Sequence, residues 1–192
     1  MPRTLERTVY TLDELSDDAK EKAREWFRTA DAGDNFWSEH VIDDAKAVAK
    51  LMGIGIDDIY WSGFWSQGDG ACFTGSYAYA KGSVAAVTAY APQDTELHRI
   101  ARDLLNAQRR VFYRASATIS HRSRYSHEHS VTIDCHDCSD DVCEAITETL
   151  RDLMRWVYNS LEAEYEYHNA DEQVDENIRA NEYEFDEDGA RA

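Results

Sequence analysis

The sequence predicts an α+β fold: one domain, residues 1–192, with an antiparallel sheet of hairpins and helices packed over one face. Three observations predict it. Segments with apolar residues at helical spacing alternate with short aromatic or β-branched runs, in the order β-α-α-β-β-α-α-β-β-α-α-β. The strand-like runs come as neighbours joined by polar or glycine-rich turns, which suits hairpins rather than crossovers. At 192 residues the chain is long enough for an unstapled core.

The elements follow in order. Arg7 to Thr11 reads as a short strand, Thr11 with Glu14 as a capping box, and Ser16 as a second N-cap ahead of Asp17 and Asp18. Ala19, Ala23, Trp26, Phe27 and Ala30 mark one helix, and Trp37, Val41, Ala45, Val48 and Met52 a second after the Gly33-Asp34 break; an antiparallel helix pair is expected. Ile56 to Tyr79 is aromatic and small-residue-rich, with Gln67-Gly68-Asp69-Gly70 between two strand-like halves, a hairpin pattern. Lys81 to Ala91 is a short helix. Pro92 with Asp94 or Thr95 opens the next, striped by Leu97, Ile100, Ala101, Leu104 and Gln108. Strands are expected at Val111–His121 and His127–Cys135, then a long helix through Ile146, Leu150, Leu153, Val157, Leu161 and Tyr165. A last helix carries Val174 and Ile178, and Tyr183-Glu184-Phe185 alternates like an edge strand able to pair with the first.

Charge is unevenly placed. The net charge is −18, and Leu161 to Ala192, read as an acidic helical extension, holds 12 acidic residues against Arg179 and Arg191. Such a surface repels nucleic acid and membranes and attracts basic protein. Salt adaptation or a GC-rich genome also accounts for an acidic chain with 15 Arg and 5 Lys, but general adaptation spreads charge, and here it is local. No run approaches a membrane span and the start lacks a signal-peptide core, so a cytoplasmic location is expected. Cys72, Cys135, Cys138 and Cys143 are too few for a disulfide scaffold and read as thiols or metal ligands.

The run Tyr60-Trp61-Ser62-Gly63-Phe64-Trp65-Ser66-Gln67-Gly68-Asp69-Gly70-Ala71-Cys72-Phe73-Thr74-Gly75 resembles a signature of bacteriophage and prophage proteins labelled "antitoxin of toxin-antitoxin stability system". The segments beginning at Tyr10 and at Ile178 resemble the same group, so the resemblance covers nearly the whole chain. It implies a phage-encoded protein acting in the bacterial cytoplasm on a host or rival element, and supplies no catalytic residues.

Three sites are candidates. Glu162, Glu166, Asp175 and Glu176 are expected to present carboxylates in helical rows to a basic bacterial protein or nucleoprotein complex, inhibiting it as a nucleic-acid mimic without binding nucleic acid or membrane; a homo-oligomer is compatible with this. Trp61, Trp65, Gln67 and Asp69 on the aromatic hairpin, with Arg124 and Tyr125, form a candidate ligand site, with Asp69 alternatively capping its turn. No cofactor is expected in the first reading. In the alternative, His121, His127 and His129 converge on zinc or another divalent metal, with Glu128 pointing away and Arg124 stabilising charge, in a metal-dependent hydrolase or nucleotide binder. Cys135-His136-Asp137-Cys138 with Cys143 has one C-x-x-C pair but no second, so a closed zinc site needs His136 or Cys72 as fourth ligand, and free thiols at a strand-to-helix junction are the favoured reading. The seven arginines from Arg99 to Arg124 either grip a phosphate or pair internally with the acidic C-terminal helices. Enzyme activity is the less favoured reading.

Overall fold

The structure, a computed structural model, describes residues 6–31 and 36–192. Its elements are a 3-10 turn at Leu12–Glu14, α1 (Asp17–Asp31), α2 (Phe36–Leu51), β1 (Ile54–Trp61), β2 (Ala71–Ala78), α3 (Ser83–Tyr90), α4 (Thr95–Arg110), β3 (Ser116–His121), β4 (Val131–His136), α5 (Asp140–Asn169) and α6 (Asp171–Ala180). The strands form one antiparallel sheet in the order β1-β2-β3-β4, so the class is α+β. The expected break at Gly33-Asp34 and the chain start at Met1–Leu5 lie outside the described residues.

Contacts divide the chain into two compact units, Met1–Ser38 with Ala163–Ala192, and Glu39–Glu162. In the larger unit, strand alternation sends Ile54, Phe73, Tyr77, Ala117, Ile119 and Val131 to one buried face. Ser76, Thr118, Thr132, Asp134 and His136 lie on the other and stay exposed. A bulge at Asp57-Asp58 shifts the β1–β2 register between Ile56 and Ile59, which restores both isoleucines to the core face. Helical residues close that core: Val48 and Ala49 of α2 with Met52 just after it, Val87 of α3, the α4 stripe, and Val142 to Met154 of α5. Gly53 joins α2 to β1 at φ 84°, where a Cβ would lie 2.0 Å from the Ala78 carbonyl oxygen, so only glycine fits. Asp94 caps α4 by accepting from the Leu97 N–H at 2.9 Å, and its other carboxylate oxygen accepts from Trp156 Nε1 at 2.8 Å.

The smaller unit has its own core of Leu12, Leu15, Ala19, Ala23, Val174, Ile178 and Phe185, rimmed by Tyr10, Trp26, Phe27 and Tyr183. Trp26 meets Tyr183 and Phe185 edge-on at 5.2 and 5.7 Å between centroids. The expected capping box forms, with Glu14 accepting from the Thr11 N–H at 2.8 Å. Gly189, at φ 84°, passes where a Cβ would meet the Ala19 carbonyl oxygen at 2.1 Å.

Four expectations change. The first strand is a single bridge: Tyr10 and Phe185 exchange backbone hydrogen bonds at 2.8 and 2.9 Å, so the expected partner is found without a ladder. The expected pair of α1 and α2 falls in two units: α1 packs on α6 and the 3-10 turn, whereas most of α2 belongs to the larger unit and supplies the sheet's core. The third strand starts at Ser116, not Val111, because Phe112 and Tyr113 take positive φ and the Val111 and Tyr113 N–H groups both close onto the Gln108 carbonyl. The fourth starts at Val131, because His127–Ser130 is a turn closed by the Ser130 N–H on the His127 carbonyl at 2.8 Å.

Candidate functional site

The proposed partner-binding carboxylates differ in exposure. Glu166 and Glu176 are exposed, Glu162 is half-buried in the larger unit, and Asp175 is turned inward. Arg24 Nε and Nη2 donate to the two Asp175 oxygens at 2.7 and 2.9 Å, and both side chains are more than four-fifths buried. That fork geometry holds the Asp175 carboxyl below its ordinary range, chiefly through the hydrogen bonds and then through Coulomb attraction. Asp175 is therefore a structural ion-pair partner rather than a docking group.

The same pattern recurs through the smaller unit. Arg28 binds Asp171 at 2.5 Å, Arg179 binds Asp13 at 2.7 Å, and Arg7 lies 3.4 Å from Asp186. Arg191 donates to the Glu184 carbonyl at 2.6 Å and covers the Tyr183 ring. Each described arginine of this unit thus has an internal acceptor. Glu166, Glu172, Glu182, Glu187 and Asp188 stay exposed, with no ion pair among the described residues. Glu172 and Glu176, four apart on α6, form a carboxylate row of which sequence reading named Glu176 but missed Glu172.

At one end of the sheet the β1–β2 and β3–β4 loops meet. Gln67, Gly68, Ser123, Tyr125, His127, His129 and Ser130 line an open cleft of about 540 Å³. Asp69 takes its capping role, its Oδ2 accepting from the Trp65 and Ser66 N–H groups at 3.0 and 2.6 Å. Trp61 stacks on Phe64 at 5.7 Å, and Phe64 is buried, whereas Trp65 is 73% exposed. The Arg124 guanidinium lies 4.9 Å from the Tyr125 ring centre and donates to its hydroxyl at 2.7 Å.

The histidines divide. His121 Nε2 is 2.9 Å from the Tyr125 carbonyl oxygen and its ring packs on Tyr60 at 4.6 Å. His127 and His129 stack at 5.4 Å. Glu128 does not point away: its oxygens lie 3.1 Å from His127 Nδ1, 3.9 Å from His129 Nε2 and 3.4 Å from Arg155. His127 Nδ1 is also 3.2 Å from the His129 backbone nitrogen, so a neutral ring accepts from that amide, whereas a protonated one donates to Glu128. Arg155, which pins Glu128, was hidden from sequence reading by a separation of 27 positions.

Among the described residues, three potential ligand atoms within 4.8 Å of one another occur at Cys135, Cys138 and Cys143, not at the three imidazoles. Cys138 and Cys143 form a disulfide, which corrects the expectation of free thiols for that pair, and Cys135 and Cys72 are thiols. The pairing arises because Asp137, at φ 58°, turns the chain back after β4, and the Ser139 carbonyl accepts from the Val142 and Cys143 N–H groups at the start of α5. Burial pushes the Cys135 thiol up, partly opposed by Thr147. In the arginine-rich stretch, Arg99 bridges Glu96, Asp103 and Asp152, and Arg110 pairs with Asp141, so α4 and α5 are linked by charge.

Among the described residues no helix is long and apolar enough to cross a membrane. No curated protein and no solved structure matches the chain. Residues 37–171 match the family described as "Domain of unknown function (DUF8835)", a span that takes in the whole sheet and most of the helical core, and the chain belongs to that family.

Proposed function

We propose that this chain is an acidic interaction protein that occupies the nucleic-acid-binding surface of a basic partner in a bacterial cytoplasm. A toxin or defence factor is the partner class implied by the resemblance to phage antitoxin-labelled proteins. The observation that carries the reading is the internal use of the smaller unit's arginines. Met1–Ser38 and Ala163–Ala192 hold 20 acidic and 8 basic residues, net −12, and the five described arginines among them face internal acceptors. Lys20 and Lys22 are the remaining described cations of this unit, so its exposed carboxylates outnumber them, and their field steers basic proteins toward it. The test is capture from a bacterial lysate by the tagged chain, compared with an E166K/E172K/E176K/E187K variant. Basic nucleic-acid-binding proteins are expected to bind at low salt, to leave as salt rises, and to be lost in the variant. Capture that ignores both salt and charge reversal refutes the reading.

A second reading rests on the loop cleft, where Gln67, Tyr125, His127 and His129 share one wall beside Trp65 and Arg124. An exposed indole and a guanidinium suit a nucleotide's base and phosphate. Calorimetry with nucleoside monophosphates tests it: binding weakened by Trp65→Ala and Arg124→Ala supports it, and absence of heat with all four bases removes it.

A further inference from the structure

We propose that Cys135, Cys138 and Cys143 are ligands of a thiophilic divalent cation, zinc by their chemistry, in the reduced chain. The three sulfurs already lie within 4.8 Å of one another. Thiolates at the ~2.3 Å of a zinc–sulfur bond in a tetrahedron stand about 3.8 Å apart, so small side-chain rotations close the site.

The backbone brings them together from three local structures. Cys135 is the penultimate residue of β4, Cys138 follows the left-handed turn at Asp137, and Cys143 sits in the first turn of α5. Asp134 and Glu144 line the same cleft as Cys135 and Cys143 and add negative charge that favours a cation, whereas Asp141 is offset by Arg110. This open cleft, of about 730 Å³ and lined by His136 as well, admits the ion and leaves its fourth position to water or to one of these side chains.

The disulfide and the metal are alternatives, because the disulfide uses two of the three ligands. A dithiol reductant gives two electrons and two protons to the Cys138–Cys143 bond and becomes a disulfide itself. Three thiols then lose three protons as three metal–sulfur bonds form. The site lies in the larger unit, and its test is separate from any partner capture.

The experiment is cobalt(II) titration of the phosphine-reduced protein without oxygen, read by visible absorption, followed by displacement with zinc. One equivalent is expected to give the intense bands of a tetrahedral thiolate site. The oxidised protein is expected to give none, and Cys72→Ser to behave as the parent. Cys135→Ser is expected to weaken binding by more than the ~10–100-fold that loss of a ligand's supporting group costs. Folded reduced protein without these bands, or unchanged bands in Cys135→Ser, overturns the proposal. Should that variant not fold by circular dichroism, alkylation of the parent decides: zinc is expected to slow modification of Cys135, Cys138 and Cys143 but not of Cys72, and equal rates overturn it.

Discussion

The two units reach stability by different means. Glu39–Glu162 is net −6 over 124 residues and buries a four-stranded sheet under four helices. Gln108, fully buried, donates to the Ala115 carbonyl at 2.7 Å and the Tyr77 hydroxyl at 3.2 Å, and burial pushes the Tyr77 phenol up to about 12. Met1–Ser38 with Ala163–Ala192 is net −12 over 68 residues and has a core cluster of seven buried apolar residues among those described. A core that small offsets little chain entropy. Arginine–carboxylate forks and edge-on aromatic rings supplement it, so the ion pairs that hold this unit also leave its outer carboxylates uncompensated. The family match follows the same division, since it spans residues 37–171 and leaves most of the acidic unit outside.

The largest test of this contrast is a matched pair of core deletions. Phe73→Ala and Phe185→Ala each remove a fully buried ring and should cost about 3–5 kcal/mol. Hydrogen exchange should locate the losses differently. Phe185→Ala is expected to expose the Tyr10 and Phe185 amides and those of α1 and α6 while β2 and β3 stay protected; equal loss in both units breaks the comparison.

A smaller effect is expected from Arg24→Met, about 1–3 kcal/mol, because the largely buried Asp175 is left without its fork partner. This change should also alter acid sensitivity. The Asp175 carboxyl is depressed in the folded chain, so the unfolded chain binds the proton more tightly. Its contribution is complete above the ordinary carboxylate pKa and is lost as pH falls through the depressed value. Melting of the parent between pH 6 and 2 should therefore show a loss in the acidic unit below about pH 4 that the variant lacks. An identical pH profile would mean that the fork does not couple protonation to folding.

The smallest is Asp94→Ala, about 1 kcal/mol from the lost cap of α4, with the Trp156 indole N–H also deprived of its acceptor. Tryptophan fluorescence and melting should report a change confined to the larger unit. A matching loss of protection in α1 and α6 would show that the units do not respond separately.

Local patterns were legible because they need only neighbours. Thr11 with Glu14, Asp94 ahead of α4, and the stripes of α4, α5 and α6 all depend on spacings of three or four residues, which side-chain geometry along one helix determines. The Gln67–Gly70 hairpin was legible for the same reason. Strand starts near Val111 and His127 were misplaced because aromatic and alternating residues there favour extension, whereas helix termination at Gln108 and a Ser130-closed turn took the backbone elsewhere.

The sequence by itself determined the class, the hairpins, the helical core stripes and the concentration of acid near the C-terminus, all properties of residues close along the chain. Only the tertiary structure decided which charges remain outside. Arg24 and Asp175 are separated by 151 positions, as Arg179 and Asp13 are by 166, and no local pattern announces either pair. It likewise brought three cysteine sulfurs together from a strand, a turn and a helix, and divided three histidines that alternation alone had placed side by side. The physical reason is common to both: a side chain's charge and ligand chemistry are set by its type, but whether they face solvent, a partner group or one another depends on contacts between distant segments, which form only when the core closes.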